Sequence, residues 1–275
     1  MNMATTPKLW ALSDLHIEHR GNLAALETLS FYGNDWLILA GDVCESAAML
    51  ERALEVLCPR FAKILWVPGN HELWTVPRSG EATRGQARYE ALVAVCRARG
   101  VLTPEDPYPE WPAQGVPLRI APTFTLYDYT FAPDGMSPAQ VVAWAADDGI
   151  MAMDEALLHP DPFPDRAAWS RARVAETEPR LAQACLSHRL ILVNHYPLRR
   201  DLLKLSRVPR YSPWCGTRAT EDWHTRFRAA VVVYGHLHVR GTELRDGVRF
   251  EEVSLGYPRD WDASQGASHY LRRIL

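Results

Sequence analysis

Seven residues able to donate nitrogen or oxygen to a metal ion recur along this 275-residue chain, each just after an apolar run. Asp14 and His16 follow Lys8–Leu12, Asp42 follows Trp36–Ala40, and Asn70 follows Ile64–Val67. His195 follows Leu190–Val193, and His236 and His238 follow Ala230–Tyr234. Residues two apart in extended backbone point the same way, so Asp14 converges with His16 and His236 with His238. The set contains no sulfur, which suits divalent manganese, iron or zinc. Seven donors exceed one tetrahedral shell and are natural for two ions that share a carboxylate. Two ions roughly 3.5–4 Å apart can hold a bridging hydroxide and clamp the oxygens of an in-line displacement. His71, next to Asn70, can donate or accept a proton near neutrality. Singly, each motif also reads as a strand-end acid, a surface histidine or an ordinary polar turn; the weight lies in the recurrence. His19, His159, His188, His224 and His269 lack such a setting and read as structural.

The elements that must position these groups are legible from periodicity. The apolar runs have the length of buried strands, and their polar ends fall where open α/β sheets place ligands. Pro68 and Gly69 end the third run and turn the chain sharply before Asn70. Leu118–Ile120, Thr123–Leu126 and Val248–Val253 supply further strand material. Asn22–Ser30, Ala47–Leu57, Arg84–Arg99 and Arg166–Ser187 read as helices, and Pro179 predicts a kink or break in the last. Arg84, Arg88, Arg97 and Arg99 read as a solvated basic face. Pro104–Pro117 is a proline-dense crossing loop. Residues 1–275 read as one domain, with a lid or insertion around 128–188, where loop-rich sequence is long enough to be functional.

Composition bounds the rest. Apolar residues make up 47% and charged residues 23% of the chain, enough for a sizeable core. The net charge of -3 gives no general attraction to nucleic acid or to anionic membrane, so any nucleic-acid site would be a local patch. The start shows no secretory pattern, and no run approaches the roughly 18 apolar residues of a membrane span. Cys44, Cys58, Cys96, Cys185 and Cys215 are scattered without CxxC spacing, which argues against a disulfide framework and suits the cytoplasm.

The ordered series DxH at Asp14 and His16, GD at Asp42, GNHE at Asn70 and His71, a single histidine at His195 and GHxH at His236 and His238 resembles the calcineurin-like metallophosphoesterase superfamily. The resemblance runs from the first strand nearly to the end. It implies a four-layer α/β/β/α sandwich of two mixed sheets flanked by helices, with a dimetal site at the strand ends. It also implies that Asp14, His16 and His238 hold one ion, Asn70, His195 and His236 the other, and that Asp42 bridges. His71 would stay off the metals and protonate the departing alkoxide. Glu45 or Glu72 would orient its imidazole. Glu45 is preferred, because the family's protein-phosphatase branch carries an acid at the same offset after GD.

The departures narrow the substrate. The protein-phosphatase branch continues as GDxxDRG, whereas this chain reads Gly41-Asp42-Val43-Cys44-Glu45-Ser46, which argues against that activity. After His195 comes a basic stretch with aromatics, in which Arg199, Arg207 and Trp214 are candidates for gripping a second phosphate or stacking a base; a solvated loop with Trp214 packed beneath it is the alternative. The expected reaction is metal-dependent hydrolysis of a small phosphate monoester by the bridging hydroxide. A phosphodiesterase acting on cyclic nucleotides or nucleic-acid ends is the alternative, and a non-catalytic metal-binding scaffold is the alternative of another class.

Overall fold

The computed structural model describes residues 6–77, 80, 82–112 and 115–275. The first five residues and positions 113 and 114 of the expected proline-dense loop lie outside the described residues. In the first half, β1 (Leu9–Leu12), α1 (Arg20–Glu27), β2 (Trp36–Leu39), α2 (Ala47–Leu57), β3 (Lys63–Trp66), α3 (Asn70–Leu73) and α4 (Gly85–Ala98) follow in order. β4 (Leu118–Pro122), α5 (Pro138–Ala146), α6 (Asp154–Leu157), α7 (Arg166–Cys185) and β5 (Arg189–Val193) come next. The chain closes with α8 (Trp223–Arg226), β6 (Ala229–Tyr234), β7 (Gly241–Arg245), β8 (Val248–Glu252), α9 (Ala267–Tyr270) and β9 (Arg272–Arg273).

Side-chain alternation explains why these strands form two sheets and not one. Strands buried on both faces send successive residues to two different cores. Ala11, Ile38 and Leu65 point inward against Ile191, Val193, Val231 and Val233, forming the core between the sheets. Leu12, Leu37, Leu39 and Ile64 point outward and are covered by Leu26 of α1, Leu50 and Leu54 of α2 and Leu92 of α4. On the far side, Leu190, Leu192, Val232 and Phe250 are covered by Leu181 and Ala184 of α7 and by Trp223 and Phe227. The layers are therefore α/β/β/α. The first sheet runs β3-β2-β1-β9 and the second β4-β5-β6-β8-β7, with β9 and β7 antiparallel to their neighbours. At the site end the sheets are stitched together: Ser13 N donates to Val253 O (3.1 Å) and Leu255 N to Ser13 O (2.8 Å).

Several expectations are corrected. Thr123–Leu126 is extended connection, not strand; Thr123 N donates to Val193 O (2.8 Å), and its segment is tied to the Asn194 side chain. The edge strands β7 and β9 escaped notice because one is half-exposed with mixed polarity and the other has two residues. α7 runs uninterrupted across Pro179, because Thr177, Leu181 and Ala184 are buried on either side of it and that packing offsets the lost hydrogen bond. Arg88 is not on a solvated face. It is buried and donates from Nε to Glu72 O (2.6 Å) and from Nη2 to Glu45 O (2.8 Å).

Residues 128–188 are tied to the body by backbone hydrogen bonds. Thr75 N donates to Leu157 O (2.9 Å) and Gln86 N to Asp161 O (2.8 Å). Arg166 clamps the segment from within by donating to the carbonyls of Asp154, Glu155 and Leu158.

Candidate active site

β1, β2 and β3 deliver Asp14, Asp42 and Asn70 to one edge, and β5 and β6 deliver His195 and His236 to the facing edge of the other sheet. All seven predicted donors meet there. His238 Nε2 lies 3.1 Å from Asp14 Oδ1 and 3.3 Å from His16 Nε2. His195 Nε2 lies 3.4 Å from Asp42 Oδ2 and 3.3 Å from Asn70 Oδ1. His71 Nε2 stands at 4.0 Å from Asp42 Oδ2, at the mouth of the cluster.

The backbone is distorted to achieve this convergence. Asp14, His16, Asp42, His236 and His238 all have positive φ, between 42° and 73°. Such conformations cost of order 1 kcal/mol or more in non-glycine residues and collect at functional sites. Two motif glycines make room. A Cβ on Gly69 would sit 2.0 Å from Asp42 Oδ1, and one on Gly235 would sit 2.3 Å from Asp14 Oδ2.

Acceptors behind His195 and His238 fix which imidazole nitrogen faces inward, and carboxylates stand behind His16 and His71. His195 Nδ1 lies 2.9 Å from Ala40 O, His238 Nδ1 lies 3.1 Å from Asp260 Oδ2, and His16 Nδ1 lies 3.3 Å from Glu18 Oε1. His71 Nδ1 lies 3.5 Å from Glu45 Oε1. Acceptors of this kind set tautomer and ring orientation in metal sites. Glu72, the other candidate partner for His71, has a different task. Its carboxylate takes backbone N–H groups from Asp42 (2.9 Å), Val43 (2.7 Å) and Gly69 (2.8 Å), tying the turn after β2 to the turn after β3.

The electrostatics match a cation cluster. Burial opposes ionisation of Asp14 and Asp42, yet the neighbouring histidines hold both carboxyls well below the usual range. Burial lowers His195 and His238, but Asp42 and Asp14 outweigh it and raise them to about 10 and about 9. His236 is pulled down to about 3 by burial and then by His195. Its Nε2 is buried without a hydrogen-bond partner. An orphaned imidazole nitrogen among converging carboxylates and an amide is a donor set that fits divalent ions. The Asp14, His16 and His238 ligand atoms lie within 4.8 Å of one another, as do those of Asp42, His195 and His236.

A cleft of about 770 Å³ opens over these groups, with Asp42, Asn70, His71, His236 and His238 at its base and Tyr257 in its wall. Lys204, Arg207 and Arg259 line it. Of the three proposed substrate contacts, only Arg207 faces the cleft. Arg199 is turned away and engaged by Asp201 and Asp246, each at 2.9 Å. Trp214 is buried, with its Nε1 donating to Glu155 Oε1 (2.8 Å). Glu18, Asp154 and Asp260 went unnoticed in the sequence because no motif spacing marks them. No helix among the described residues is long and apolar enough to cross a membrane.

Comparison with known proteins agrees with this geometry. Residues 7–240 match the family model for calcineurin-like phosphoesterase. The chain is 49% identical over 271 residues to the [acyl-carrier-protein] phosphodiesterase PptH of Mycobacterium tuberculosis, covering 98% of this chain and 83% of that protein. The crystal structure of phosphopantetheinyl hydrolase (PptH) from Mycobacterium tuberculosis superposes with a TM-score of 0.93 at 49% identity, covering 98% of this chain and 96% of that one. This chain belongs to the calcineurin-like phosphoesterases and is an enzyme that hydrolyses phosphate esters.

Proposed function

We propose that this enzyme is a dimetal phosphodiesterase that removes a phosphopantetheinyl group from an acyl-carrier protein. The observation that carries this reading is the 49% identity, across 98% of the chain, to a protein named both an [acyl-carrier-protein] phosphodiesterase and a phosphopantetheinyl hydrolase. The ester is then a diester on a protein, in place of the small monoester expected from the sequence. The cleft is compatible with such a substrate: Arg207 is exposed along its rim and would attract a phosphate-bearing or acidic partner, whereas Lys204 is paired with Glu243.

Asp14, His16 and His238 would hold one ion and Asn70, His195 and His236 the other, with Asp42 between them. Manganese, iron and zinc all suit these donors. When bound, the ions neutralise phosphate charge and lower the pKa of water. His71 gives a proton to the departing oxygen from the mouth of the cluster, and Glu45 holds the ring so that Nε2 faces the reacting centre. Arg207 orients the ester from the cleft wall, while Arg199 and Trp214 support the loop. Residues 1–275 would form one domain, in which 128–188 is an insertion packed behind the site, where Asp154 meets Asn70.

The test is incubation of manganese-loaded enzyme with a phosphopantetheinylated carrier protein, followed by intact mass measurement. Loss of the phosphopantetheinyl mass supports the reading. Hydrolysis of bis-nitrophenyl phosphate with the carrier left intact would reject the carrier while keeping the diester chemistry, and would return cyclic nucleotides and nucleic-acid ends to first place.

A further inference from the structure

The insertion reaches the proposed metal site through one side chain. Asp154, at the start of α6, is 1% exposed. Its Oδ1 accepts from Asn70 Nδ2 (3.0 Å) and from Trp74 Nε1 (2.7 Å). The Asn70 amide has two ends of similar size, and only its oxygen can bind a cation. With Nδ2 donating to Asp154, Oδ1 must face the other way, where it lies 3.3 Å from His195 Nε2. The Trp74 indole held by the same carboxylate oxygen lies against His71, with ring centroids 3.7 Å apart. One buried acceptor thus touches a proposed ligand directly and the side chain packed against the proposed acid.

We infer that Asp154 is a positioning residue that selects the metal-binding orientation of the Asn70 amide and, through Trp74, seats the His71 ring. Without an acceptor at 154 the Asn70 amide loses the partner that orients it, and its N–H groups can turn toward the cation. Partners of this kind set ligand orientation, and their loss costs about 10–100-fold in metal affinity. The inference rests on the dimetal reading but not on the carrier-protein substrate.

The test is calorimetric titration of manganese into chelator-stripped protein, alongside thermal melting of the stripped forms. Asp154→Leu removes the acceptor and is expected to weaken one of the two ions by about 10–100-fold. Asp154→Asn keeps a carbonyl oxygen and is expected to restore binding to near wild type. In an Asn70→Asp background, residue 70 is symmetric about the same rotation, so adding Asp154→Leu should cause no further loss. Undiminished binding of both ions by Asp154→Leu would overturn the inference, as would an equal loss in the Asn70→Asp background. If Asp154→Leu fails to fold, Asp154→Asn decides alone: a loss as large as tenfold there would overturn the inference, because its acceptor is intact. Wild-type protein that bound no ions would overturn the dimetal reading itself, and this inference with it.

Discussion

His71 shows how much of the chemistry sits in a single atom's position. Its Nδ1 faces Glu45 at 3.5 Å, and its Nε2 stands off Asp42 at 4.0 Å, further than the imidazoles packed inside the cluster. His71→Ala should therefore lower kcat by about 10²–10⁴-fold while metal analysis still finds both ions. The loss should shrink for nitrophenyl esters, whose leaving group needs no proton; loss of metal from this variant would place His71 among the ligands instead. The donors were legible in the sequence because each ends an apolar run and five motifs recur in order. Glu18, Asp154 and Asp260 were not, since each serves the site from a place where no motif stands, and Asp154 reaches Asn70 across 84 residues. Arg88 was misread because its neighbours on the helix, Arg97 and Arg99, do face solvent with acidic partners, and sequence periodicity does not reveal what covers one position.

At the scale of elements, the strand ends are held by carboxylates that do not belong to the site. Glu72 joins the turns after β2 and β3, and Glu252 performs a related task between β8 and β1. The Ser254 hydroxyl lies 2.7 Å from Asp14 Oδ2 and 2.5 Å from Glu252 Oε1. It has one proton for two acceptors. Burial, and then Asp14, raise the Glu252 carboxyl from 4.5 to about 7, which leaves Glu252 able to donate to Ser254 while Ser254 donates to Asp14. Between those two values the folded, metal-free chain binds more protons than the unfolded chain, so its stability falls as pH rises through the window. The slope from this one group is at most about 1.4 kcal/mol per pH unit. Glu252→Gln is neutral throughout and should flatten that part of the curve; melting temperatures of stripped wild type and variant from pH 4.5 to 7 would test this, and parallel curves would assign the dependence elsewhere. The individual strands were readable from the length of the apolar runs and the α/β/β/α layering from the family resemblance, whereas β7 and β9 depended on pairing that no local pattern encodes.

Across the whole molecule, the site is a seam. Asp14, His16, Asp42 and Asn70 come from the first sheet, and His195, His236 and His238 from the second. Ions bound there would add a cross-link between two layers that also meet through the inter-sheet core, the Ser13–Ser254 bridge and bonds such as His195 Nδ1 with Ala40 O. Chelation should accordingly lower the melting temperature as well as abolish turnover, and manganese at a hundredfold excess over Kd should restore about 2.7 kcal/mol per site. A melting temperature indifferent to chelator would mean that the seam is held without ions. The left-handed backbone at Asp14, His16, Asp42, His236 and His238 has a consequence for descent. Its conformational cost falls on every copy of the fold, whether or not that copy turns over substrate. A lineage released from both catalysis and metal binding would relieve that cost by drifting to glycine at those five positions. In a chain that binds ions there, that cost is offset by the stability the ions return.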